Sequence, residues 1–330
     1  MNDEQDAAIV IPAIEINPLV DRCIAECRAD SPGADIILLL DTAPPEIGGD
    51  DTYGGARVIV TGPVTISAKR NRGAEATDRT FLAFIDSDAY PAPGWLGNAI
   101  RELEKDPMLG ICGGPNVSPP DARGSERYVG LAQKSVLVTG HLNFRKQKAA
   151  ARYCDDLPSC NMVMRRTDYL ALGGMDESLY IYEDKDLCRK AVEAGKRILF
   201  TPDVLVFHRD RPLNLFINQR LVWGANIWTT APRARRASDL IVFLPVTAVV
   251  FFLSGAVLPW LSIWGWVWGP VAGLYGALIA VETVRRAERP GDLPGLALAL
   301  VIGNLGPGVG AVLGPLGLLP DQRRLYRNFE

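Results

Sequence analysis

The chain has 330 residues, enough for one large domain with an appendage or for two modest ones. Its hydrophobic fraction is 48% and its formal net charge is -3, without the basic surplus of a general nucleic-acid binder, so no nucleic-acid partner is expected. Six cysteines and two histidines complete no zinc-type set, and the thiols read as buried or free groups in a reducing compartment.

The first residues, Met1 to Ala8, are acidic and polar. They lack the basic start and apolar core of a signal peptide, so the first domain is expected in the cytosol. Ala8 to Pro12 is a short apolar run, read as a buried strand. Pro18 to Asp30 has helical spacing, with Leu19, Cys23, Ile24 and Cys27 on one face. Further strands are expected at Asp35 to Leu40, Arg57 to Val60 and Phe81 to Ile85, with a helix over Ser67 to Ala76. Strands without polar alternation, separated by helices, imply an α/β fold with a mainly parallel sheet covered on both faces. In such sheets ligands bind beyond the carboxyl ends of the strands. Asp41 and Asp86 each stand at such an end.

Trp95 to Lys105 reads as a helix and Gly110 to Asn116 as a strand with a glycine-rich exit. Pro119 to Pro158 reads as loops and short helices. A strand at Asn161 to Arg165 precedes helices at Thr167 to Leu172 and Asp184 to Ala194, then strands at Arg197 to Phe200 and Val204 to Phe207. The catalytic domain is taken as residues 1–211, and 212–237 as an amphipathic interfacial helix with a basic linker. Leu213, Phe216, Ile217, Leu221 and Trp228 can share one face of that helix, and Arg233, Arg235 and Arg236 follow.

Residues 238–330 read as a membrane region. Leu240 to Val281 carries no charge, which is too long for one span of about 20 residues and right for two. Pro259 and Trp260, Trp264, Trp266 and Trp268 fall near its middle, so it reads as a hairpin turning there. Arg285, Arg286 and Arg289 follow. Pro294 to Pro320 is a second uncharged stretch, interrupted by glycine and proline and followed by Arg323, Arg324 and Arg327. The basic clusters place both flanks on the cytoplasmic face, which asks for a re-entrant segment or paired crossings. A single span with a basic outer tail is the alternative. The whole is expected at the cytoplasmic membrane, multi-pass, with lipid as a partner.

Four constellations carry chemistry. Asp86-Ser87-Asp88 follows a buried strand, and two carboxylates so placed suit a hard divalent cation, manganese or magnesium, bridging to phosphate oxygens. Lys69, Arg70, Asn71 and Arg72 open a helix before that strand and suit a diphosphate. Glu183-Asp184 opens another helix, whose dipole favours the carboxylate as an anion, the state a general base needs. His208 follows the last strand and offers a third metal ligand or a phosphate contact.

Taken in order, these pieces resemble the family-2 glycosyltransferases of the GT-A fold. The matching residues are Val10-Ile11-Pro12, Leu38 to Asp41, Lys69-Arg70-Asn71 with Gly73, Phe84 to Asp88, Pro93 to Leu96, Asn161 to Arg166, Gly173 to Glu177, Glu183 to Cys188 and Pro202 to His208. The resemblance implies an inverting, metal-dependent sugar transfer from a nucleotide-diphosphate sugar. Asp41 would contact the nucleobase and Asp86 the ribose. Asp88, with Asp86 and His208, would hold the metal. Pro12, Glu15, Lys69, Arg70, Asn71, Ser87 and Asn161 would line the nucleotide sugar. Asp184 would be the catalytic base, with Glu183 beside it at the acceptor. Thr42 stands where the family usually has a second acid, which leaves nucleobase choice open. Gln219 to Gly224 only loosely echoes the processive members' signature, so no polymerase is expected. Arg220 and Trp223 are placed on the acceptor and membrane side.

The acceptor is expected to be a lipid-linked or cell-envelope glycan. A polyprenyl phosphate, already ionised, is the alternative within the class. A sugar nucleotidyltransferase and a non-catalytic scaffold are the readings outside it.

Overall fold

The computed structural model describes residues 3–43, 52–179, 181–230, 243–257 and 262–319. The chain divides into two units, Met1–Pro120 with Phe144–Arg209, and Asp121–Asn143 with Asp210–Glu330.

The first unit starts with β1 (Ala7–Pro12), α1 (Pro18–Asp30), β2 (Asp35–Leu40), β3 (Thr52–Tyr53), β4 (Ala56–Val60), α2 (Ile66–Glu75), β5 (Phe81–Ile85), β6 (Ala89–Pro91), α3 (Trp95–Lys105), β7 (Leu109–Gly113) and β8 (Asn116–Val117). After α4 (Gly124–Gln133) and α5 (Val136–Thr139), which belong to the second unit, it resumes with β9 (Arg152–Tyr153), β10 (Asn161–Arg165), α6 (Arg166–Ala171), α7 (Glu183–Glu193), β11 (Arg197–Phe200) and β12 (Val206–His208).

Local chemistry explains the boundaries that matter for the site. Asn17 accepts hydrogen bonds from the backbone N–H groups of Leu19 and Val20, and Pro18 opens α1. Thr65 caps α2 through the N–H of Ala68. Gly73 lets α2 lie close on β1, because a Cβ there would run into the Val10 side chain. The central strands β1 and β5 are buried along their whole length, as apolar runs covered on both faces must be.

The main sheet has the order β3-β4-β2-β1-β5-β10-β7-β11-β9 among the described residues. As expected, it is mainly parallel: β4, β2, β1, β5, β7 and β11 share one sense, and β3, β9 and β10 run against it. β1, β2, β4 and β5 pair in parallel, but β10 runs antiparallel to both β5 and β7. A fully buried strand carries the same apolar pattern in either direction, so its sequence does not encode its sense. A second small sheet, β6-β12-β8, stands beyond the end of β5.

The second unit adds α8 (Leu213–Ala225), α9 (Ile227–Thr230), α10 (Leu244–Val257), α11 (Ser262–Arg286) and α12 (Leu293–Leu313) to α4 and α5. Stretches of 23 residues (Trp264–Arg286) and 24 residues (Pro290–Leu313) are long and apolar enough to cross a membrane. Phe252 of α10 meets Tyr275 of α11 with ring centroids 5.1 Å apart. The expected turn at Pro259, the first basic cluster at 233–236 and the last at 323–327 lie outside the described residues.

Pro294–Pro320, expected as a further span or a re-entrant segment, forms a continuous helix through Leu313, with Pro307 inside it. Its glycines serve close packing. A Cβ on Gly310 would overlap the Leu221 carbonyl of α8, and one on Gly308 would overlap the Pro245 carbonyl of α10. Small residues that let helix backbones approach are the packing device of apolar helix bundles. α8 itself buries Phe216, Arg220, Val222, Gly224 and Ala225. Of the residues expected to share the interfacial face, Phe216 is buried, whereas Ile217 and Trp228 of α9 are exposed.

Ion pairs gather where α11 passes into α12. Arg286 meets Glu282 at 2.8 Å, and Arg127 of α4 meets Asp292 at 3.1 Å and Glu288 at 2.6 Å.

Candidate active site

The sheet register assembles the site. β5 ends at Ile85, so Asp86, Ser87 and Asp88 turn from the main sheet into β6 of the small one. β12 pairs antiparallel with β6, placing His208 opposite Ala89. The Arg209 N–H donates to the Asp88 carbonyl at 3.2 Å and fixes this crossing. As a result, His208 Nε2 stands 3.4 Å from Asp88 Oδ1 and 3.6 Å from Asp86 Oδ2. The three residues read from sequence as metal ligands are therefore brought together.

α2 supplies the next layer. Arg70 is 1% exposed, and its guanidinium donates to Asp86 Oδ1 at 2.6 Å and to Glu183 Oε1 at 3.2 Å. This one side chain ties the end of β5 to the start of α7. Asp86 and Glu183 thus converge on the same guanidinium, although they come from distant parts of the chain.

α7 begins under strain. Tyr182, its N-cap, has φ 68°, the one left-handed non-glycine among the described residues. Such backbone is held only where the surroundings enforce it, and it clusters at functional sites. Here it starts the helix at Glu183 and lets Asp184 accept from the Lys185 N–H at 2.7 Å.

The electrostatics separate the carboxylates. Burial alone would raise Asp86, but the Arg70 charge and His208 outweigh it and hold the carboxyl at about 2. Burial and the neighbouring Glu183 charge push Asp184 up to about 7. Loss of water and a like charge next door thus act against the helix dipole that favours the anion. Burial raises Glu183 as well, against the pull of Arg70. Burial would lower His208, but the charges of Asp88 and Asp86 raise it.

The donor set fits a divalent cation. Asp86, Asp88 and His208 offer carboxylate oxygens and an imidazole, the chemistry that manganese-class ions accept. Sequence reasoning missed Cys160. It precedes β10, and β10 pairs Asn161 with Ile85, so the thiol lies beside Asp86. Only the strand direction reveals this neighbour, and the sequence pattern hid that direction.

Several expected nucleotide contacts are occupied within the protein. Lys69 is 1% exposed and spends its ammonium on the Ala13 carbonyl and Asp41, both at 2.6 Å. Asn71 donates to the Met175 carbonyl at 2.9 Å and accepts from the Tyr169 hydroxyl at 2.5 Å. With Arg70 turned to Asp86 and Glu183, this basic cluster organises the site and does not present an open diphosphate cradle. Asn161 is fully buried; its side chain accepts from Trp95 Nε1 and donates to the Val204 carbonyl, both at 2.8 Å. Pro12 is buried at the end of β1, Glu15 is exposed in the loop after it, and Ser87 is half-buried between the two aspartates. Arg220 and Trp223 belong to α8 of the second unit, where the buried Arg220 guanidinium lies 4.6 Å from the Phe216 ring and 4.6 Å from the Trp223 ring.

The family model described as glycosyl transferase family group 2 matches residues 81–281, more than half of the chain. This chain is a family-2 glycosyltransferase. The glycosyltransferase is 29% identical over 302 residues to the pre-mycofactocin glycosyltransferase of Mycobacterium tuberculosis (strain H37Rv), an alignment covering 86% of this chain. It spans 58% of that relative's length. It is also 27% identical over 107 residues to the uncharacterized glycosyltransferase EpsJ of Bacillus subtilis, covering 31% of each chain. Its fold matches that of the mannosyltransferase PcManGT from Pyrobaculum calidifontis, solved with GDP-Man and Mn2+, at a TM-score of 0.58 and 15% identity over 91% of this chain and 87% of that one. The glycosyltransferase therefore has the GT-A fold, followed by long apolar helices.

Proposed function

We propose that this glycosyltransferase moves a sugar from a nucleotide-diphosphate sugar to a hydroxyl of a lipid-linked or cell-envelope glycan, with inversion, at the cytoplasmic face of the membrane. The observation that carries the reading is Arg70 shared between Asp86 and Glu183. It joins an acidic metal-type end, suited to the donor diphosphate, to a carboxylate pair suited to the acceptor.

Asp86, Asp88 and His208 would hold a divalent cation, which stabilises the charge developing on the leaving nucleoside diphosphate. Asp41, Glu15 and Ser87 line the donor side, with Lys69 and Arg70 holding the carboxylates in place. Asp184 takes the proton from the acceptor hydroxyl as its oxygen attacks the anomeric carbon, and direct displacement inverts that centre. An Asp184 value of about 7 suits this step, because a base near the working pH combines ionised population with proton affinity. The apolar helices α11 and α12, with the ion-pair belt at their junction, support a position at a membrane, and Arg220 and Trp223 are assigned to its side.

The test is a thermal-shift screen of UDP- and GDP-sugars with manganese or magnesium, followed by turnover with a lipid-linked glycan, a polyprenyl phosphate and pre-mycofactocin, the acceptor the Mycobacterium relative's name points to. A metal-dependent shift with release of nucleoside diphosphate supports the reading. Release of pyrophosphate would assign a nucleotidyltransferase instead, and no metal-dependent nucleotide-sugar binding would leave a scaffold.

A further inference from the structure

One ligand atom each from Asp86, Cys160 and His208 lies within 4.8 Å of the others. Asp86 and His208 also face Asp88, with His208 Nε2 at 3.4 Å from it. Two ligand sets therefore share Asp86 and His208. One is completed by a carboxylate and the other by a thiol.

The two sets differ in softness. Magnesium and manganese favour oxygen ligands, whereas a cysteine sulfur draws zinc and its relatives. Zinc takes Cys, His and Asp ligands at about 2.0–2.3 Å in tetrahedral sites, so atoms this close reach one ion through small side-chain rotations. Cys160 is 8% exposed and otherwise idle in the chemistry proposed above.

We propose that Cys160 makes the metal site responsive to metal identity: a soft divalent cation of the zinc class binds to Asp86, His208 and Cys160 and displaces the hard cation that supports sugar transfer. On binding, the Cys160 S–H bond breaks, the sulfur keeps the electron pair and bonds the metal, and the proton passes to water. No oxidation state changes. Asp88 is left out of this set, so the diphosphate loses its carboxylate-held cation. The proposal rests on the donor-side metal reading, but its spectroscopic test does not require turnover.

Cobalt(II) serves as the probe, titrated into the full-length protein in detergent. The expected result is a sulfur-to-cobalt charge-transfer band in the near ultraviolet, lost in Cys160→Ser and bleached by zinc but not by magnesium. Cys23 is the control, because its Sγ faces the backbone carbonyl of Asp86 at 3.5 Å and not the carboxylate. Cys23→Ser keeps the band. No band in the wild type, or an unchanged band in Cys160→Ser, would overturn the proposal. Zinc is also expected to inhibit manganese-supported transfer at about ten-fold lower concentration in the wild type than in Cys160→Ser, and equal sensitivity would overturn the inhibitory role. A band without any sugar transfer would uphold this site while removing the transferase chemistry proposed for it.

Discussion

Asp86 and Glu183 hang from the same guanidinium, at 2.6 and 3.2 Å from the two ends of Arg70. Asp86 leads into the metal-type cluster and Glu183 precedes the candidate base. The buried cation between them neutralises two acids that would otherwise repel. It also fixes the distance between the two acidic groups, the quantity on which the proposed displacement depends.

Arg70→Ala removes that link and leaves two partly buried carboxylates facing each other. Breaking a buried pair costs about 3–5 kcal/mol, and the 30% exposure of Asp86 reduces this to about 2–3 kcal/mol. A fall in Tm of about 4–12 °C by differential scanning fluorimetry is expected. Arg70→Lys keeps the charge but not the fork, so it is expected to recover most of the stability while losing kcat by at least about ten-fold. Equal kcat for Arg70→Lys and the wild type would show that the fork does not position the acids.

The acid limb of stability follows from the same group. Asp86 is held at about 2, below its unfolded value of about 3.9, so its stabilisation is present above about pH 4 and lost as pH falls toward 2. Urea unfolding between pH 5 and pH 2.5 is expected to show a steeper decline in the wild type than in Asp86→Asn. Parallel curves would remove Asp86 from the acid limb.

Much of this site was legible before the structure. Apolar runs ending in Asp41 and Asp86 marked the carboxyl edge of the sheet, because buried strands and chemistry-bearing ends have distinct compositions. The strands Asp35–Leu40, Phe81–Ile85 and Asn161–Arg165 and the helix Trp95–Lys105 fall where the sequence placed them. What stayed hidden was direction and orientation. β10 reads the same forwards and backwards, so Cys160 beside Asp86 was invisible. Lys69, Arg70 and Asn71 read as an anion cradle, yet Lys69 and Arg70 are buried and Asn71 is tied to Met175 and Tyr169, because Gly73 draws their helix down onto β1. The glycines of α12 read as helix breakers, and only their carbonyl neighbours on α8 and α10 show them to be contact points.

Asp184→Asn separates the two acceptor classes. With a hydroxyl acceptor, loss of the base is expected to lower kcat by about 10²–10⁴-fold. With a polyprenyl phosphate, which arrives ionised, turnover is largely retained. The wild-type rate should rise with pH through about 7 as Asp184 ionises. Stability moves the opposite way. A carboxyl raised in the folded state binds its proton more tightly there, so the native protein loses stability as pH rises from about 4 to about 7. Asp184→Asn is therefore expected to be more stable than the wild type at pH 8 and level with it below pH 4. A variant less stable at pH 8 would contradict the raised value.

Asp88→Asn weakens the metal set without touching the Arg70 bridge. Nucleotide-sugar stabilisation in the presence of manganese should shrink, while Tm without ligand stays close to that of the wild type. EDTA should abolish the ligand-induced shift in the wild type and leave little further to lose in the variant. A shift that is large and indifferent to EDTA in both proteins would place the cation outside the binding step and return the aspartates to a structural role.

The helix packing of the second unit gives a test independent of catalysis. Gly224 of α8 faces the Pro307 carbonyl, and Gly310 of α12 faces the Leu221 carbonyl, so a side chain at either position must push the helices apart. Gly224→Val and Gly310→Val are each expected to cost at least about 2–3 kcal/mol, in the range of overpacked cores, and to reduce the yield of monodisperse protein in detergent. Gly265 and Gly273 of α11 have nothing within 4 Å of the position a Cβ would take. Alanine at those two sites meets no neighbour and removes backbone freedom from the unfolded chain, so it should be neutral or stabilising by up to about 1 kcal/mol. If valine at 224 and 310 were tolerated as well as alanine at 265 and 273, α8 and α12 would not be in backbone contact, and the glycine-rich sequence of α12 would need another cause.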